Sequence, residues 1–323
     1  MARIEGALRM PDLNIPSLSK DDLIRLGLST EQIVDSIERT IRGSVEGTVW
    51  AAPKVFIMPP NDPRYMMATL AAMDGPSLLA VKTVVMNPEN SANGLPQING
   101  LVTMLNSVTG LPVAVLDGNW ITEVRTAGLS ALAAKYMANP DSKTIGFVGC
   151  GAQARSHLDA FADLFNLKHM VYFGRGQANQ DRLAEQAKER GMTTMACSSG
   201  QEVVETCDLL VTTVTHTGGV APFLDASGMR PRSFAAIVDL AAPWKRDNFA
   251  ALDCIVIDDL VQEAALPNKL CDAAFIHGDL TDLVTKKLQG RKKINDRTAF
   301  VFRGHALGDL ALSALAIEAY RKL

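Results

Sequence analysis

The stretch Thr144-Ile145-Gly146-Phe147-Val148-Gly149-Cys150-Gly151-Ala152-Gln153-Ala154 decides the fold. An apolar run ends in Gly-x-Gly-x-x-Ala, and helical periodicity follows through Gln153–Leu164. Strand, glycine turn and helix in this order form a dinucleotide-binding signature. The first glycine permits the tight turn. The second leaves room for a pyrophosphate against the backbone, and the small third residue lets helix and strand pack closely. The helix amino terminus adds unpaired N–H groups and a partial positive charge. The competing reading is a plain strand-to-helix turn without a ligand, and the chain downstream argues against it.

Downstream, apolar runs recur at Met170–Phe173, Thr193–Ala196, Leu209–Thr213, Phe234–Val238 and Cys254–Ile257. Most are separated by segments with helical periodicity, such as Gln180–Arg190, which predicts a parallel sheet with helices on both faces. After Asp258 the pattern predicts helix again, with a long amphipathic helix from Ala306 to Leu323. Upstream the grammar differs. Asp21 to Glu46 predicts a helix that Ser19 caps and Gly27 breaks. Val55–Met58, Met66–Ala72, Leu78–Met86, Gly100–Ser107 and Leu111–Leu116 are short apolar or alternating runs between turn formers, which predicts an antiparallel sheet. Thr122 to Ala138 reads as a helix that ends at a hinge, Asn139-Pro140-Asp141. The expected fold class is α/β: a Rossmann-type doubly wound parallel sheet plus a second, α+β domain. Residues 126–305 form the first, and residues 1–125 with 306–323 the second.

With 323 residues the chain is long enough for two domains. A net charge of −3 argues against a nucleic-acid partner. No apolar stretch reaches the ~18 residues of a membrane span, and Met1 to Lys20 lacks an apolar signal core. Both point to a cytoplasmic protein. The cysteines Cys150, Cys197, Cys207, Cys254 and Cys271 form no C-x-x-C pair and read as small buried hydrophobes, and the histidines are scattered, so no metal site is expected. The second strand of the parallel sheet runs into Phe173-Gly174-Arg175-Gly176. It lacks the carboxylate that would hold the ribose 2′-hydroxyl of NAD. Arg175 stands where a 2′-phosphate would lie, which favours NADP over NAD; stacking on the adenine would suit either.

Asp117-Gly118-Asn119-Trp120-Ile121-Thr122-Glu123-Val124-Arg125-Thr126-Ala127, ahead of a glycine turn completed by Gln153-Ala154, resembles the ornithine cyclodeaminase/mu-crystallin family. Lys82, Asn87-Pro88, Gly94-Leu95-Pro96, Thr109-Gly110, Gly278-Asp279-Leu280, Gly304 and Asp309 extend the resemblance over nearly the whole chain. It implies a homodimer whose non-Rossmann domain binds substrate and makes the dimer. It also implies chemistry on a small 2-imino or amino acid, with hydride exchanged at the α-carbon.

A 2-imino acid calls for cations at its carboxylate and a proton donor at its nitrogen. Arg125 matches the family's substrate arginine, and its planar fork suits a carboxylate. Lys82, inside an apolar strand, matches the active-site lysine; burial would suit it to proton transfer. Lys54 stands where the family has arginine. The cofactor positions expected are Thr126, Gly149, Gly151, Ala152, Gln153, Ala154, Arg175 and Thr213.

Two departures from the family pattern matter. Cyclodeaminases carry an aspartate two residues before Pro243, where this chain has Ala241. Asp239, placed on the same face about 7 Å away if the segment is extended, is a candidate substitute or a structural residue. His305, after Phe300-Val301-Phe302-Arg303-Gly304, is a candidate proton donor or a structural histidine. The expected activity is an NAD(P)H-dependent imino-acid reductase or the reverse dehydrogenase, with Lys82, Asp239 or His305 managing the proton. A cyclodeaminase with recycled NAD is the alternative, and a non-catalytic NADPH- or ligand-binding protein is the alternative of another class.

Overall fold

The computed structural model describes residues 14–215 and 221–323. Residues 1–13, on which part of the amino-terminal reading rests, lie outside the described residues.

The first sheet contains β1 (Ser17–Leu18), β2 (Val49–Ile57), β3 (Tyr65–Asp74), β4 (Ser77–Met86), β5 (Ile98–Leu105) and β6 (Pro112–Asp117), in the order β1-β6-β5-β4-β3-β2. Its pairs are antiparallel as the alternating runs predict, except that β1, unforeseen, pairs in parallel with β6. Helices α1 (Lys20–Arg25) and α2 (Thr30–Glu46) lie between β1 and β2 in the chain. Ser19 and Ser29 cap them, each in a capping box that satisfies free N–H groups in both directions. Strand β4 shows why the sheet is one-sided. Leu78, Ala80, Lys82 and Val84 are buried while Thr83 and Val85 are exposed, a period of two.

The second sheet is parallel throughout. Its strands are β7 (Thr144–Val148), β8 (His169–Phe173), β9 (Thr193–Ala196), β10 (Leu209–Thr212), β11 (Phe234–Ile237), β12 (Cys254–Ile257), β13 (Ile276–Asp279) and β14 (Thr298–Val301). Their order is β13-β12-β14-β11-β10-β7-β8-β9. The chain runs outward from β7 through β8 and β9, then returns to β10 on the other side of β7. That reversal makes a crevice at the carboxyl ends of β7 and β10, the usual ligand position in such sheets. Helices α4 (Ala152–Leu164), α5 (Gln177–Glu189), α6 (Gly200–Thr206), α7 (Leu260–Ala265) and α8 (Leu280–Val284) connect these strands or follow them.

Three sequence expectations need correction. The region after Asp258 is not simply helical: it contributes β13 and β14, and β14 inserts between β11 and β12. These strands are four residues each, too short for periodicity to separate from helix. The helix joining the two sheets, α3 (Gly118–Met137), starts at Gly118 rather than Thr122, with the Asp117 carboxylate accepting from Trp120 N, and residues 125 and 126 both lie within it. It packs against β4, β5 and β6 on one side and β11 and β14 on the other. Finally, α9 (Ala306–Tyr320) is not amphipathic. It is buried on almost every face between α2, α3 and the first sheet.

Candidate functional site

Two clefts lie beside the sheets, and they are built differently. The first follows the glycine turn. It has a volume of about 440 Å³ and is lined by Gly149, Cys150 and Gly151, by Phe173 to Gly176 after β8, and by Thr213 to Thr215 after β10. Gly149 has φ +94°, and a Cβ there would stand 2.7 Å from the Thr213 carbonyl oxygen, so only glycine fits. Gly151 differs. A Cβ there meets no atom within 4 Å, because it would project into open space. Gly151 is also the N-cap of α4 and makes no side-chain cap, which leaves the helix's first N–H groups free. A bare backbone cradle facing a helix amino terminus fits a dinucleotide pyrophosphate.

The other expected cofactor residues are distributed around this cradle. Arg175 and Thr213 line the cleft. Ala154 is fully buried against the core. Gln153 donates to the Thr122 carbonyl at 3.4 Å, and the Thr126 hydroxyl donates to the same oxygen at 2.6 Å. Ala152, Gln153, Ala154 and Thr126 therefore shape the turn and join α4 to α3 without lining the cleft.

The second cleft, about 450 Å³, opens between the inner face of the first sheet and the loops after β11 and β14. Lys54, Lys82, Arg125 and Arg303 bring four cations into its lining. A register shift between Ala52 and Val55 on an edge strand leaves Pro53 and Lys54 together across from the one residue Thr69, whose cross-strand partner on the other side is Lys82. The keystone is Asp309 in the first turn of α9. Its Oδ1 lies 2.7 Å from Lys82 Nζ and 2.9 Å from Arg125 Nε, and its Oδ2 accepts from the Thr69 hydroxyl at 3.0 Å. Lys82 and Asp309 are 1% and 2% exposed, so solvent screens the pair little.

The electrostatics follow from that burial. Desolvation and the neighbouring Arg125 charge push Lys82 down to about 7, against the opposing pull of Asp309. Burial alone would raise Asp309, yet Lys82 and Arg125 hold its carboxyl below the usual carboxylate range. Burial also lowers Lys54 to about 8, although Asp258 opposes the shift. The Lys54 ammonium donates to the Arg303 carbonyl at 2.8 Å and packs against Gly304, where φ is +104° and a Cβ would come within 2.7 Å of Nζ. Arg125 Nε is close to Asp309 but misaligned for hydrogen bonding, and neither its Nε nor its Nη1 has a hydrogen-bond partner among the described residues. Its guanidinium carbon lies 5.3 Å from the centre of the Phe302 ring. A buried guanidinium with unpaired donors, beside a lysine that can hold or release a proton near neutrality, suits a carboxylate with a basic nitrogen next to it.

Asp239 and His305 are not among the residues lining either cleft. The extended geometry assumed for Asp239 and Ala241 does not exist, because Leu240 and Ala241 both have positive φ, +57° and +55°. Arg246 donates to the carbonyls of both residues at 3.1 and 3.3 Å and closes the turn. Asp239 accepts from the Thr212 hydroxyl at 3.1 Å and from Val214 N at 3.0 Å, tying the β10 loop to the β11 loop. Burial raises it to about 6. Ala241 is fully buried, and the side chain that this turn presents to the cleft is Leu240. His305 caps α9: its Nδ1 accepts from Leu307 N at 3.0 Å, and its Nε2 lies 3.4 Å from Asp259.

Sequence reasoning noted Asp309 as part of a tail pattern and gave it no role; it missed Asp258 and Glu263. Asp258 accepts from Gly304 N at 2.6 Å, and Glu263 accepts from Arg303 at 2.7 and 2.9 Å. One usable signal was present: carboxylates set in mostly apolar helix and strand sequence, as Asp309 is in Leu307-Gly308-Asp309-Leu310-Ala311.

Comparison with known proteins agrees with this geometry. The model of the ornithine cyclodeaminase/mu-crystallin family matches residues 19–322. An alanine dehydrogenase from Archaeoglobus fulgidus is 26% identical over 302 residues, covering 90% of this chain and 91% of its own. The ketimine reductase mu-crystallin of Rattus norvegicus is 29% identical over 263 residues, or 79% of each chain. The solved structure of Thermococcus litoralis Delta(1)-pyrroline-2-carboxylate reductase in complex with NADH and L-proline superposes with a TM-score of 0.85 at 24% identity, covering 95% of this chain and 98% of that one. The chain belongs to the ornithine cyclodeaminase/mu-crystallin family.

Proposed function

We propose that this chain, an NAD(P)-dependent oxidoreductase acting on imino or amino acids, is a reductase of a small 2-imino acid or the reverse dehydrogenase. The observation that carries the reading is the buried trio of Lys82, Arg125 and Asp309 at the wall of a cleft, with two buried arginine donors lacking a hydrogen-bond partner among the described residues. Arg125 takes the carboxylate through its free N–H groups. Lys82 completes that site and, with a pKa near 7, passes a proton to the imine nitrogen or takes it back from the amine. Asp309 holds both cations in place and stays ionised. The nicotinamide ring, when bound, supplies or accepts the hydride at the α-carbon. Gly149, Gly151 and the first N–H groups of α4 hold the pyrophosphate, with Thr213 at the neighbouring strand end.

Arg175 is exposed, lines the cofactor cleft and has no carboxylate beside it in the Phe173–Gly176 turn, which supports NADP over NAD. Ala241 supports the reductase over a cyclodeaminase, because the position at which the family resemblance puts the cyclodeaminases' aspartate carries no carboxylate here, and its turn presents Leu240 to the cleft. We place the dimer contact on the outer face of the first sheet, where Trp50, Val55, Ile57, Leu70, Val85 and Leu101 form an exposed apolar surface. Assay of a cyclic 2-imino acid with each reduced cofactor tests the reading. One cofactor consumed per product supports it, and no consumption with any imino acid rejects it.

A further inference from the structure

The substrate cleft has a charged end and an apolar end. At the charged end the cations Lys54, Lys82, Arg125 and Arg303 meet three buried acids: Asp258, Glu263 and Asp309. Their pairing is specific. Asp309 serves Lys82 and Arg125, Glu263 accepts from Arg303, and the charge of Asp258 opposes the loss of a proton from Lys54. With all of these ionised, four cations against three anions leave one unit of positive charge. One carboxylate neutralises it. The charge of Arg303 is already matched by Glu263, to which its Nε and Nη2 donate, and Nη2 also donates to the Asn268 carbonyl.

The rest of the wall is of another kind. Phe56, Met67, Val84, Ile98 and Leu240 line it, with the phenol of Tyr65 among them. Among the described lining residues none is acidic. A second ammonium on the substrate would therefore lie against hydrocarbon with no acid on the lining to pair it, and would meet an already cationic site. A second carboxylate would lie against the same hydrocarbon after the first has neutralised the one excess positive charge. Either end group is costly to bury without a partner.

We infer that this cleft selects a monoanionic imino or amino acid whose side chain is uncharged and apolar, and discriminates against both ω-ammonium and ω-carboxylate side chains. The inference rests on the reading that Lys82 and Arg125 hold the α-carboxylate.

Three amino acids of equal chain length separate the possibilities: L-norvaline, L-ornithine and L-glutamate, titrated calorimetrically into the protein saturated with oxidised nicotinamide dinucleotide. Norvaline is expected to bind at least tenfold more tightly than either charged analogue. Ornithine or glutamate binding as tightly as norvaline overturns the inference. Arg125→Met separates this failure from failure of the underlying reading. If Arg125→Met abolishes binding of all three while selectivity is absent, the carboxylate site stands and only the side-chain inference falls. If none of the three binds the native protein, both fall. A second variant, Met67→Glu, adds the missing acid to the apolar wall. It is expected to raise the ornithine-to-norvaline affinity ratio at least tenfold; a folded variant with an unchanged ratio contradicts the placement of the side-chain end.

Discussion

On the proposed reading, the two clefts recognise anions by opposite means. The cofactor cleft uses backbone: Gly149 for a turn no other residue can make, Gly151 for empty space, and the uncapped start of α4. The substrate cleft uses buried side-chain charge drawn from β2, β4, α3, the segment after β14, and α9. A backbone site is cheap to maintain, because its dipoles exist in any helix. A buried charge cluster stands only while every member is present, since removing one leaves another uncompensated. The first tolerates most changes outside its glycines, and the second tolerates few.

That contrast is sharpest at Lys82. Lys82→Met should lower kcat/KM for imino-acid reduction by ~10³–10⁴-fold, the upper range for loss of a positioned proton donor, and leave cofactor affinity within about twofold. A comparable loss in cofactor affinity would break the separation. In the native enzyme the same lysine must be protonated to donate. With its pKa lowered to about 7, kcat/KM for reduction should fall by about tenfold per pH unit once well above 7, and the oxidative direction, which needs the free amine, should rise up to about pH 7 and level off above it.

Asp309→Ala should destabilise the fold by about 3–5 kcal/mol in urea titration, because Lys82 and Arg125 would face each other unpaired. A loss under about 1 kcal/mol would mean that the acid is not holding the cluster.

The legibility of the two clefts in the sequence follows the same division. The glycine turn spans six consecutive residues, and its chemistry is local, so reading along the chain finds it. The antiparallel sheet was legible too, because strands such as β4 are short apolar runs set between turn formers, here Asp74-Gly75-Pro76 and Asn87-Pro88. The charge cluster joins positions as far apart as Lys54 and Asp309, and no local pattern encodes that meeting. Lys82 stands out as a charge inside an apolar run, and both Lys82 and Arg125 match residues of the family pattern, whereas Asp309 matches only its tail and otherwise reads as an ordinary first-turn acid of a helix. Asp239 was misplaced because an alternation rule was applied to a turn whose positive φ values only the folded chain reveals.

The two glycines refine the backbone side of the comparison. Gly149→Ala should cost about 1–3 kcal/mol of stability through strain at positive φ and collision with Thr213. Gly151→Val should leave stability within about 0.5 kcal/mol, since its surroundings are open, and yet weaken dinucleotide binding by about 100-fold or more, ~2.7 kcal/mol. Equal effects on stability and binding at both positions would erase the distinction between a structural and a ligand-facing glycine. Arg175→Ala gives the smallest effect. NADPH should weaken by about 10-fold to 100-fold, the loss of one charge-assisted contact, with NADH changed less than about twofold.

The central claim is that hydride and proton are delivered to an imino acid held by Lys82 and Arg125. The direct measurement is isotope transfer from reduced cofactor deuterated on the transferring face of nicotinamide C4, with mass spectrometry of the product and a parallel ammonia assay on L-ornithine. The account expects one deuterium at the α-carbon of the amino acid, one cofactor oxidised per product, and no ammonia from ornithine. A product without deuterium, an unchanged cofactor and steady ammonia release would contradict it and leave a cyclodeaminase in its place.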